Sequence, residues 1–141
     1  DVTGVQTCAL PIFVIYNTAL EYGGGIHFYG SSLNNPSLYN SQIIGNNSNG
    51  EWWSDGGGIY CLDASVSIFN IEIIDNYADH YSGGIYISGS ETSVLDGNLI
   101  QGNVSEGASN NGSGGGITVG GSVTISNNTI VDNGGVNGGG I

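Results

Sequence analysis

The chain is predicted to be an all-β solenoid of stacked coils, and three observations predict it. A Gly-Gly-Ile signature occurs five times, as Gly24-Gly25-Ile26, Gly57-Gly58-Ile59, Gly83-Gly84-Ile85, Gly115-Gly116-Ile117 and Gly139-Gly140-Ile141. Between copies an apolar-x-Asn-x-x-Ile-x-x-Asn motif recurs, running from Leu38 to Asn46, from Ile68 to Asn76 and from Ile125 to Asn133. The apolar segments are short and alternate with polar residues, and none shows a helical period. Self-similarity of this kind marks units that bury their apolar faces only by stacking on one another.

The spacing separates a rigid part of each repeat from a free part. The first inward apolar residue precedes the second by five positions in four copies, at Leu38 and Ile43, Ile68 and Ile73, Leu95 and Ile100, Ile125 and Ile130. An Asn follows three positions later in each, at Asn46, Asn76, Asn103 and Asn133. Successive signature isoleucines are 33, 26, 32 and 24 residues apart, so the other connections accept insertions. Such loops are where a repeat scaffold tends to carry function.

Within each signature segment, Ile26 and Phe28, Ile59 and Cys61, Ile85 and Ile87, and Ile117 and Val119 share one face. Val66, Ile68 and Asn70 form a second set, matched by Val123, Ile125 and Asn127. Period-two alternation over four to six residues describes strands with one buried face. Three short strands per repeat, bent at Gly and Asn residues that tolerate positive φ, describe one coil of a parallel β-helix of about 4–5 coils. Coils ~4.8 Å apart would align the repeats into columns. Asn17, Asn46, Asn76, Asn103 and Asn133 form one expected ladder; Asn40, Asn70 and Asn127 form another, with inward side chains and a gap at Gly97. Stacked carboxamides can bond to one another and to the backbone of the bend.

These repeats resemble those of the right-handed parallel β-helix superfamily. They are most similar to polymorphic outer-membrane proteins and related surface β-helix proteins, which pair a Gly-Gly-Ala-Ile-type signature with Phe-x-x-Asn. The corresponding elements here are Gly-Gly-Gly-Ile and Ile/Val-x-x-Asn, with a following Ala at Ala19 and Ala78, across residues 13–141. The resemblance implies a right-handed coil and an extracellular or cell-surface location, to which the Gly-, Asn- and Ser-rich acidic composition also points. Residues 1–12, DVTGVQTCALPI, do not fit the repeat and read as a translated sequencing adapter. The native part is therefore expected to be 13–141, an internal piece of a longer, environmentally sequenced protein, whose neighbouring coils would be its first partners.

Composition excludes several classes of function. The chain has no Lys or Arg, twelve Asp and Glu, and a formal charge of −12. Nothing can neutralise the phosphates of a nucleic acid or attract an anionic lipid surface. No run of about 20 apolar residues exists, so no membrane-inserted helix is expected. Of the two Cys, Cys8 lies in the adapter-like segment and Cys61 stands at a core position, so disulfides are not the stabilising device. Four N-x-S/T sequons occur, at Asn46, Asn103, Asn111 and Asn127; the ladder positions are expected to point inward, leaving Asn111 as the accessible one.

Candidate sites are sparse. Lyases of the resembled superfamily use Arg or Lys as base, often with calcium, and this segment has neither basic residue. A hydrolase needs convergent carboxylates, and Asp75 and Asp132 share one repeat position, held elsewhere by Tyr16, Gly45 and Gly102. Two coils put them ~9–10 Å apart, near the upper end for an inverting pair; ordinary bend chemistry explains them equally. His27 faces outward at the head of a column continued by Tyr60, Tyr86 and Thr118, either a stripe for stacking sugar rings or a cross-coil stack that stabilises the sheet. His80 clusters with no other ligand by spacing. Glu51-Trp52-Trp53, in an insertion at 47–55, would form an exposed platform for a glycan or partner, or fold back over the coil. The acidic content is compatible with calcium, but the Gly-Gly-x-Gly-x-Asp nonapeptide that binds it is missing, and no cofactor is expected. The leading expectation is a non-catalytic stalk or adhesin-like passenger contacting carbohydrate or a surface protein. The alternative is the scaffold of a polysaccharide-degrading enzyme, a hydrolase before a lyase, with its active site partly or wholly elsewhere.

Overall fold

A computed structural model describes residues 11–30, 35–50, 54–107 and 114–141. The first coil contains β1 (Phe13–Ile15), β2 (Thr18–Ala19), β3 (Ile26–Tyr29) and β4 (Ser37–Tyr39). The second contains β5 (Gln42–Ile44), β6 (Asn47–Ser48), β7 (Ile59–Leu62) and β8 (Ser67–Phe69). In the third, β9 (Glu72–Ile74) and β10 (Tyr77–Ala78) precede one long strand, β11 (Ile85–Asp96). The fourth repeats this with β12 (Leu99–Gln101), β13 (Val104–Ser105) and β14 (Ile117–Ser126), and β15 (Thr129–Val131) begins the next. Every pairing is parallel and joins equivalent strands of neighbouring coils, giving an all-β solenoid of about 4 turns.

Three sheets form the faces. β1, β5, β9, β12 and β15 make the first, and β2, β6, β10 and β13 the second. The third joins β3, β7, β11, β8 and β4, with β14 beside β11. Ile26, Ile59, Ile85 and Ile117 pair in register on the third face, and Val14, Ile43, Ile73, Ile100 and Ile130 on the first. With Ile68 and Leu95 they fill the interior, where Ile43, Ile59, Ile68, Ile73, Ile85, Leu95, Ile100 and Ile117 are fully buried. Cys61 pairs with Phe28 and Ile87 and is buried; burial pushes its thiol up to about 11.

The Gly-Gly pair is explained by close approach. A Cβ on Gly57 would meet the Tyr77 carbonyl oxygen at 2.1 Å, and one on Gly58 would meet Asn76 Cγ at 3.2 Å. The inner asparagine ladder lies against the second glycine of the first four signatures, at Gly25, Gly58, Gly84 and Gly116. Asn76 Oδ1 accepts from both the backbone N and Nδ2 of Asn46, at 2.9 and 3.0 Å, while Asn76 Nδ2 donates to Asn103 Oδ1 at 2.9 Å and to the Ile43 carbonyl at 2.9 Å. Asn17 and Asn133 continue the chain of bonds at its two ends. The carboxamides of Asn46, Asn76 and Asn103 thus each use both acceptor positions and both protons, as a buried amide requires.

The outer column differs from the sequence expectation. Asn40, Asn70 and Asn127 are exposed, with φ of 47°, 50° and 54°. Period-two alternation holds only while the backbone is extended; one left-handed residue turns its side chain out of the sequence of faces. Gly97 takes the same corner at φ 68°. The inward position is the next residue, where Asn98 donates through Nδ2 to Asn128 Oδ1 at 2.8 Å, in a short second ladder. Asn70 Nδ2 bonds Asn40 Oδ1 at 2.6 Å, whereas Asn127 Nδ2 reaches Asp96 Oδ1 at 2.8 Å.

Candidate functional site

The third face carries an aromatic cluster built from two neighbouring columns. His27, Tyr60 and Tyr86 occupy equivalent outward positions on β3, β7 and β11. Two positions before the first three signatures stand Tyr22, Asp55 and Tyr81; Tyr22 and Asp55 form a parallel bridge, and Gly56 N donates to the Tyr81 carbonyl at 2.8 Å. Coil stacking therefore brings residues from three repeats into one patch.

The expected exposed stripe is corrected at its centre. Tyr60 is only 5% exposed, because Tyr22 stacks on it at 4.6 Å and Tyr86 at 5.1 Å with nearly parallel rings, while His27 meets it edge-on at 5.0 Å. Both faces of Tyr60 are used within the protein, so the stack stabilises the sheet. The accessible part lies at the first coil, where a cleft of about 230 Å³ is lined by Tyr22, His27, Tyr29, Tyr60 and Leu62. Tyr29 is 73% exposed, and its ring lies 6.2 Å from His27. Burial and the nearby Asp55 charge raise the Tyr22 and Tyr60 phenols above their usual value.

Beneath the cluster is a pair the spacing did not reveal. His80 Nδ1 lies 2.9 Å from Asp55 Oδ1, which also accepts from the Tyr81 backbone N at 3.1 Å. Both side chains are buried, and the His80 ring packs edge-on to Tyr81 at 4.0 Å. Asp55 titrates above the ordinary carboxylate value because burial outweighs the stabilisation from His80 and Tyr81. The sequence signal was the absence of Lys and Arg: the side chains of such a chain offer a buried acid no cationic partner but histidine.

The remaining candidates fall elsewhere. Asp75 and Asp132 are exposed corner residues at φ 53° and 56°, two coils apart with Gly102 between them. A Cβ at Gly102 would stand 2.2 Å from Asp75 Oδ1, so a side chain there would displace the Asp75 carboxylate. Trp52, Trp53 and Asn111 lie outside the described residues. The base of the tryptophan insertion is closed by Ser54, whose Oγ accepts from Gly50 N at 2.8 Å and donates to the Gly50 carbonyl at 3.0 Å. Of the described sequons, Asn46 and Asn103 are buried in the ladder, whereas Asn127 is exposed, contrary to expectation. Among the described residues no group of three His, Cys, Asp or Glu is arranged to hold a metal ion, and no helix is long and apolar enough to cross a membrane.

The profile of one protein family, described as a right handed beta helix region, matches residues 5–141. Searches of the curated proteins and of the solved structures return no match.

Proposed function

This chain belongs to the right-handed β-helix family, and from that premise we propose that it is a non-catalytic surface segment, an adhesin-like passenger or stalk outside the cell that contacts carbohydrate. The observation that carries the reading is the open cleft lined by Tyr22, His27, Tyr29, Tyr60 and Leu62. Aromatic rings offer apolar faces to the C–H surfaces of a sugar, and tyrosine hydroxyls and an imidazole offer polar edges to its hydroxyl groups. Trp52 and Trp53, in the insertion whose base closes at Ser54, are proposed as additional contacts.

The test incubates the chain with a panel of polysaccharides and follows both retention and product release. Retention that falls in Tyr29→Ala, or in Trp52→Ala with Trp53→Ala, supports contact at those residues. Product release abolished by Asp75→Asn or Asp132→Asn overturns the non-catalytic reading in favour of a hydrolase, for which the shared column of the two carboxylates is the motivating geometry.

A further inference from the structure

A second concavity lies where the third face turns into the first. It is a groove of about 420 Å³ crossing successive coils, with buried Ser41 and Ile71 as its floor. The outer asparagine column forms one wall and the outward residues of β5 and β9 the other. Asn70 Nδ2 donates to Asn40 Oδ1, and Gln42 Nε2 donates to Glu72 Oε2, each at 2.6 Å. Among the described residues these bonds leave Asn70 Oδ1, Gln42 Oε1 and Glu72 Oε1 as free acceptors and, as free donors, both protons of Asn40 Nδ2 and the second proton of Asn70 Nδ2 and of Gln42 Nε2. Phe13, 59% exposed, and Leu99 add apolar surface at the side.

The groove opens where the outer column lacks a side chain. Gly97 stands in the corner that Asn40, Asn70 and Asn127 hold elsewhere, and a Cβ placed on it would meet nothing within 4 Å. An asparagine at 97 would extend that wall and donate to Asn70 Oδ1 as Asn70 donates to Asn40 Oδ1; the glycine leaves the space beside Asn70 empty.

We propose that this groove is a binding site for a neutral carbohydrate chain. Free amide protons beside free carbonyl and carboxylate oxygens suit a ligand whose polar groups are mainly hydroxyls, each able to donate while still accepting. The Phe13 ring supplies a face for the C–H side of a sugar. Glu72 and a net charge of −12 without Lys or Arg disfavour a polyuronate, whose carboxylates would find no cation. The volume falls within the range of small-ligand sites, roughly 300–1,000 Å³. The groove shares no residue with the aromatic cleft, so either site can fail alone.

The experiment titrates the full chain with neutral oligosaccharides of glucose, mannose and galactose, and with oligogalacturonate, using calorimetry. Gly97→Asn fills the gap in the groove wall and takes up Asn70 Oδ1, using the residue that neighbouring coils already carry in the same backbone conformation, so its thermal unfolding is expected at or above that of the parent. Phe13→Ala is the second variant and removes only an exposed ring. The expected result is binding of a neutral oligosaccharide, weakened about tenfold or more by each substitution, the scale of losing one well-made contact. The inference is overturned if no neutral sugar binds, if oligogalacturonate binds better, or if both variants bind like the parent. A sugar retained by Gly97→Asn and lost in Tyr29→Ala occupies the aromatic cleft, which overturns the groove while leaving the proposed function standing.

Discussion

The Asn76 carboxamide lies directly against Gly58: a Cβ on that glycine would stand 3.2 Å from Asn76 Cγ and 2.8 Å from the Gly84 carbonyl oxygen. Signature glycine and ladder asparagine are thus one packing unit, although 18 positions separate them in the chain. Gly58→Ala forces the coil corner away from both neighbours. A loss of about 1–3 kcal/mol, the usual cost of overpacking, is expected, and urea denaturation read by far-ultraviolet circular dichroism measures it. An unchanged midpoint would show that the corner relaxes freely.

Asn76→Ala removes more than one bond. The backbone N and Nδ2 of Asn46 lose their shared acceptor, and the Ile43 carbonyl and Asn103 Oδ1 each lose a donor. Burial gives these groups little water to turn to, so a cost of about 2–5 kcal/mol is expected from several orphaned groups at ~1–3 kcal/mol each. Asn70→Ala, at the exposed corner, should cost much less. Equal midpoints for the two variants would contradict the distinction between inner and outer columns.

Ile73→Asp places a carboxylate at a position with no exposed surface, among Ile43 and Ile100. Lost burial and an unpaired charge together cost several kcal/mol, on the order of the whole stability of a small domain. The expected outcome is a chain without a cooperative unfolding transition at neutral pH. A cooperative melt close to that of the parent would be incompatible with the stacked isoleucine core.

The chain should become more stable as pH falls from neutral toward about 5. The folded state raises the Asp55 pKa, so its stabilising contribution is fully present below the unfolded carboxylate value, ~3.9, and is lost as pH rises through the raised folded value. Self-repulsion in a chain of charge −12 without Lys or Arg acts in the same direction. Asp96 opposes both: bonds from Ser126 and Asn127 lower its pKa, so its contribution is present above the unfolded value and fades in acid. Being only half-buried and held by neutral donors, Asp96 is the weaker influence. Thermal melts across this range check the sign, and Asp55→Asn should flatten the slope. Melting temperatures that fall steadily on acidification to pH 5 would refute the expectation.

Much of the architecture was legible in the sequence because its determinants are local. The five-residue step from Ile68 to Ile73 and the three-residue step from Ile73 to Asn76 are set by short strands and a bend of constant length, so identical spacing implies identical geometry in every coil. The columns of isoleucine, the inner Asn17–Asn133 ladder and the Cys61 core position followed from that. Asn40, Asn70 and Asn127 were misplaced because a single residue at positive φ reverses which side chain faces inward, and alternation of residue type does not register it. Asp55 and His80 are 25 residues apart, with the 47–55 insertion entering just before the first. Connections of unequal length hide which residues of neighbouring coils lie side by side. By itself the sequence determined the coil, its period and its buried columns. Only the tertiary structure decided that Tyr60 is enclosed between Tyr22 and Tyr86, that Asp55 meets His80, and that Gly97 leaves a groove open, because each depends on the offset between coils rather than on the order of residues within one.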